Sequence, residues 1–92
     1  SVGIDESDEQ LNTIKLYPNP YSSTVTLDYS VAEGDGPKYI SIYNAMGIEV
    51  ERIRLSSAQG SFTFGSDLKA GMYLVRLTSS EELLQSSRLI RR

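Results

Sequence analysis

Histidine and cysteine are both absent from this 92-residue chain, so its candidate chemistry rests on carboxylates, tyrosines and guanidinium groups. Neither a Ser-His-Asp relay nor a Cys-His pair can be assembled. A zinc site would have only carboxylate ligands, an unusual donor set. Glu33 and Asp35 in "EGDGPK" offer oxygens of the kind calcium takes. Their spacing matches no EF-hand loop, and a solvated turn is the simpler account. Asp5, Glu6, Asp8 and Glu9 form an acidic run with no scaffold around it. Paired-carboxylate hydrolysis needs two acids at a fixed separation beside a cleft, and no such pair stands out. No glycine-rich phosphate loop is present. The six tyrosines would suit a sugar or peptide platform, but placed in or beside apolar alternation they read first as core-edge residues. The expectation is a domain without catalysis, cofactor or metal. The net charge of −3 also lacks the attraction that drives non-specific nucleic-acid binding.

The elements that would position these groups are strands. Apolar residues at 39% and charged residues at 23% are a globular balance for one small domain. "STVTLDYSV" (23–31) sets Val25, Leu27, Tyr29 and Val31 against Thr24, Thr26, Asp28 and Ser30, a period of two and the strongest pattern in the chain. "TIKLY" (13–17), "YISIYN" (39–44), "SFTF" (61–64) and "MYLVRLTS" (72–79) share this chemistry, the last with apolar groups on both faces as in a central strand. In "IEVERIRL" (48–55) the apolar phase slips from Ile48 and Val50 to Ile53 and Leu55, which a bulge near Glu51–Arg52 reconciles. "LLQSSRLIRR" (83–92) closes the chain as a strand. A helix over "EELLQSSRLI" is the competing assignment, weakened by two serines and the terminal position. Seven short strands imply an antiparallel sandwich. Its expected core draws on Val25, Leu27, Ile40, Ile42, Val50, Phe62, Phe64, Tyr73, Val75 and Leu77.

Residues 1–12 are acidic and aperiodic, as in a linker, and residues 13–92 form the domain. The start has neither the basic nor the apolar region of a signal peptide, and no apolar run is long enough for a membrane-spanning helix. In "LYPNPYSST", Pro18 and Pro20 stop the first strand and redirect the chain. Tyr17 and Tyr21 would then cover the end of the sandwich with wet hydroxyls. Gly47 in "AMG" is free to take positive φ in a turn. The final "RLIRR" holds Arg88, Arg91 and Arg92 and no acid. Leu89 and Ile90 are adjacent, so one points into the sandwich and the other out.

"LYPNPYSSTVTLDYSV", "ISIYNAMGIEV", "LKAGMYLVRLTS" and "SSRLIRR", in this order, closely resemble the type A C-terminal sorting domain of the type IX, or Por, secretion system of Bacteroidetes-type bacteria. The likeness runs from about Ile14 to Arg92. Its landmarks here are Tyr17, Pro18, Asn19, Pro20, Gly47, Gly71 and Tyr73. It implies an immunoglobulin-like all-β sandwich of about seven strands, ending a secreted or cell-surface cargo protein. The implied partners are the N-terminal cargo, an outer-membrane translocon and a sortase-like protease that removes the domain. The cargo is then released or attached to lipopolysaccharide. Recognition by the translocon is expected at the end of the chain, through Arg88, Leu89, Ile90, Arg91 and Arg92. Two positions depart from the family pattern: Asn44 stands where an acid is frequent, and Arg91–Arg92 where lysine is common. A second reading is a non-catalytic immunoglobulin-like spacer or adhesive module of a bacterial surface protein, since such modules carry similar motifs.

Overall fold

Alternating apolar residues give each segment one face to bury, and two sheets bury those faces against each other. The computed structural model describes residues 12–32, 36–80 and 82–92. They form β1 (Thr13–Tyr17), β2 (Val25–Ser30), β3 (Lys38–Tyr43), β4 (Glu49–Leu55), β5 (Gln59–Phe64), β6 (Gly71–Ser79) and β7 (Glu82–Arg91). One sheet has the order β1-β2-β5 and the other β4-β3-β6-β7, with every neighbouring pair antiparallel. No helix occurs among the described residues, and the helical alternative for the last segment gives way to the ten-residue β7. Because β4 hydrogen-bonds β3, it lies in the sheet of β3, β6 and β7, which makes a three-plus-four sandwich.

Residues in register build the core row by row. Leu16, Leu27 and Phe62 lie side by side across the first sheet, and Ile53, Ile40 and Leu77 across the second. Val25, Leu27, Ile40, Ile42, Val75 and Leu77 have no solvent exposure. Burying side chains of this size contributes about 1.5–3 kcal/mol each. Tyr29 leans on Phe62 with ring centroids 6.2 Å apart, and its hydroxyl meets Ser57 Oγ at 3.0 Å. β6 is central in its sheet, between β3 and β7; Tyr73, Val75 and Leu77 are its buried face, while Met72 and Leu74 lie on the outer face, where Met72 is exposed.

Val50 is not a core residue; it is 41% exposed. The bulge sits one residue earlier than the phase slip suggests. Ile42 pairs with Glu51 and Tyr43 with Glu49, leaving Val50 without a partner opposite. The inward phase of β4 is therefore carried by Glu51, Ile53 and Leu55, while Val50 and Ile48 face solvent. Substituting Val50→Thr is expected to change stability by no more than about 0.5 kcal/mol. Urea denaturation measures this, and a loss above about 1.5 kcal/mol would show that Val50 is packed.

The β3–β4 connection is built around Asn44. Its Oδ1 accepts from the amides of Met46 at 2.9 Å and Ile48 at 3.0 Å, and its carbonyl accepts from Gly47 N at 2.9 Å. An aspartate could accept the same two side-chain bonds. Gly47 has φ +83°, the positive value expected of it. Of the expected linker, only Asn12 lies among the described residues, and its Oδ1 accepts from Ala32 N at 3.1 Å. Glu33 and Asp35, the calcium candidates, also lie outside the described residues.

Candidate functional site

Proline cannot donate to a ladder, so a chain leaving β1 through Pro18 and Pro20 needs other groups to anchor it. Both the Tyr17–Pro18 and Asn19–Pro20 bonds are cis. Although β1 and β2 belong to one sheet, the turn between them reaches across to the other. Asn19 Nδ2 donates to Arg88 O at 2.8 Å, and Ile90 N donates to Asn19 Oδ1 at 3.1 Å. One side-chain amide thus satisfies a carbonyl and an N–H on the outer edge of β7, as a neighbouring strand would. The backbone continues the seam: Tyr21 N donates to Ile90 O at 2.9 Å and Arg92 N to Tyr21 O at 2.8 Å. Tyr21 and Arg91 form a parallel bridge. The edge of β7 from Arg88 to Arg92 is therefore paired, which removes a template for unwanted strand addition.

A second layer lies beneath the seam. Tyr21 is 1% exposed, so its hydroxyl is not wet; it donates to Gly65 O at 2.9 Å. Arg91 stacks over the Tyr21 ring at 5.5 Å and sends Nη1 to the carbonyls of Gly65 at 2.7 Å, Ser66 at 2.9 Å and Leu68 at 2.7 Å. That nitrogen has two protons, so one is shared between two carbonyls. Gly65 is demanded by the same geometry. Its φ is +91°, and a Cβ there would stand 2.5 Å from the Tyr21 hydroxyl oxygen. Leu89, with no exposure, fills the core beside Tyr73. Tyr73 donates its hydroxyl to Lys69 O at 2.6 Å, tying the start of β6 to the loop before it. This is the arrangement of the tyrosine corner of immunoglobulin-like sandwiches. Gly71 opens the same strand with φ +152°.

The candidate recognition residues therefore divide by strand alternation. Leu89 and Arg91 face inward and hold the fold together, whereas Arg88, Ile90 and Arg92 face outward and are exposed. Of the motif residues, Asn19 joins the seam directly. Tyr17 lies outside it, hydrogen-bonded through its hydroxyl to Asp28 Oδ2 at 2.9 Å. That bond is the leading cause of a raised Tyr17 pKa. The Asp28 carboxyl is lowered, first by a hydrogen bond from Ser61 and then by that from Tyr17. Sequence patterning missed Tyr21 as a core residue and Gly65 altogether. The positive φ required at Gly65 left only the residue type itself as a signal.

Burial raises the Tyr21 pKa above its ordinary 10.0, opposed by the neighbouring Arg91 charge; Tyr73 and Asp67 add smaller upward effects. A tyrosine raised in the folded state contributes stability that is complete below about pH 10 and lost as pH climbs through the folded pKa. Tyr21→Phe is expected to lower stability at neutral pH and to flatten the alkaline decline. Thermal melts at several pH values test this, and an unchanged alkaline slope would contradict it.

No group of three or more metal-ligating residues occurs among the described residues. No helix among them is long and apolar enough to cross a membrane. The sheet orders, the tyrosine corner and the end-to-end packing define an immunoglobulin-like sandwich. An immunoglobulin-like protein from Pseudomonas aeruginosa matches in fold with a TM-score of 0.56 at 9% identity, over 88% of this chain and 91% of that one. No curated protein matches by sequence. The family model described as the secretion system C-terminal sorting domain matches residues 15–91, and the chain belongs to that family. It is thus a sorting-signal domain of type IX secretion.

Proposed function

We propose that the domain is a non-catalytic address, read by the outer-membrane translocon through the outward side of β7 and removed by a sortase-like protease on delivery. The observation that carries this is the division of the last strand. Leu89 fills the core, Arg91 stacks on Tyr21, and the backbone of Arg88, Ile90 and Arg92 is bonded to Asn19 and Tyr21. The side chains of Arg88, Ile90 and Arg92 are thus presented from a fixed frame. Rigid presentation suits recognition because little ordering entropy remains to be lost on binding. Guanidinium groups suit it because their planar fork binds carboxylates with two parallel bonds. The cargo precedes the domain in the same parent chain, and cleavage falls in the acidic stretch of residues 1–12. The cargo is then free outside the cell or attached to lipopolysaccharide at its surface.

The test is a periplasm-targeted reporter fused ahead of this chain, expressed in a type IX-competent strain and in one lacking the translocon. Reporter activity should reach the surface or medium only in the competent strain. Equal periplasmic retention in both would favour a structural spacer.

A further inference from the structure

The outer face of β4-β3-β6-β7 carries charge and apolar surface together. A groove of about 470 Å³ lies on it, lined chiefly by Tyr43, Ala45, Met72, Leu74, Arg76 and Arg88. Met72 is 49% exposed, and Ile90, opposite it in the β6–β7 ladder, is exposed as well. An exposed apolar pair therefore lies beside the two arginines on one sheet face, a pattern that suits a docking surface.

The two rim arginines stand on adjacent strands. Leu74 is opposite Arg88 and Arg76 is opposite Ser86, so Arg76 and Arg88 are diagonal neighbours, about 7–8 Å apart at the backbone. Arg76 stacks over the Tyr43 ring at 5.4 Å. Glu49 is engaged by Arg52 at 3.2 Å, and no carboxylate among the described residues is paired with Arg76 or Arg88. Two like charges held this close repel one another, and a carboxylate between them relieves the repulsion. The net charge of −3 opposes adsorption to an anionic membrane, whereas two localised guanidinium groups still attract a local acid.

We propose that this groove docks an acidic, extended segment of a partner protein, its carboxylates on Arg76 and Arg88 and its apolar side chains on Met72 and Leu74. The inference rests on the sorting reading for the partner's role in export, and it extends the contact surface from the outward side of β7 across the same sheet face onto β6.

The binding test uses the isotope-labelled 92-residue chain and the blocked peptide acetyl-Leu-Asp-Leu-Asp-Leu-amide, followed by NMR. The amides of Met72, Leu74, Arg76 and Arg88 should shift, and added salt should weaken the effect. Replacing both Asp residues of the peptide by Asn, or Arg76→Gln with Arg88→Gln in the protein, should weaken binding about tenfold or more at unchanged melting temperature. No shift at millimolar peptide, or shifts indifferent to the arginine pair, would overturn the proposal. So would phosphatidylglycerol vesicles perturbing these amides while the peptide does not. In the fused reporter, Arg76→Glu with Met72→Ser, both on β6 and outside the β7 address, should reduce export. Normal export of that variant beside an exported wild-type fusion would sink the groove and leave the sorting reading intact. If the wild-type fusion itself fails to leave the periplasm, the sorting reading falls, and the peptide titration still decides the groove.

Discussion

Leu89→Ala is expected to destabilise the domain by about 2–5 kcal/mol, although it alters the fourth residue from the chain end. Terminal residues usually tolerate truncation. Leu89 has no solvent exposure, stands opposite Tyr73 in the β6–β7 ladder and lies between two residues tied to the Asn19–Tyr21 turn. Its removal leaves a cavity that the anchored backbone is poorly able to close. For a domain whose total stability is of the order of 5–15 kcal/mol, this is a large fraction. Urea unfolding should show a lower midpoint at nearly constant slope. A loss below about 1 kcal/mol would mean that β7 does not seal the core. Deleting residues 89–92 should then unfold the domain as well as remove the address, so deletion alone cannot separate folding from recognition.

The two final arginines are expected to behave differently. Arg91→Ser should cost about 2–3 kcal/mol, because charge-assisted hydrogen bonds are worth roughly 1.5–3 kcal/mol and three carbonyls lose their donor together. Arg91→Lys should recover only part of this, since an ammonium lacks the planar fork and its stacking on Tyr21. Arg92→Ser should stay within about 0.5 kcal/mol, as for most exposed positions. Melting the three variants in parallel measures the contrast. Equal, small losses at both positions would show that Arg91 is ordinary surface charge.

The strands were legible because period-two alternation depends only on neighbouring residues: Val25, Leu27 and Tyr29 point inward as their spacing dictates. Val50 was misread because a bulge shifts the phase without changing composition, and its position depends on the pairing of β3 with β4. The seam was only half visible. Two prolines announce a turn, but nothing local says that Asn19 will bond residues 69 and 71 positions away. Arg91 was read as a surface charge for the same reason. Its acceptors are backbone carbonyls 23 to 26 positions distant, and carbonyls leave no mark in residue types. Once the geometry is known, the co-occurrence of "YPNP" with a basic final strand has a physical cause: the two ends of the domain are one assembly. Tyr21 belongs to it too, since a ring beside two prolines looks like an end cover until its hydroxyl is found on Gly65.

The central claim is that the outward face of the last strand is read as an address while its inward face maintains the fold. The most direct measurement is the exported fraction of a reporter fused to the chain carrying Arg88→Ser, Ile90→Ser and Arg92→Ser together, with the melting temperature of the same protein. These side chains are exposed, and the backbone bonds of the seam do not depend on them. The account predicts a melting temperature close to wild type and a reporter held in the periplasm of a type IX-competent strain. Undiminished surface delivery of the folded triple variant would contradict it.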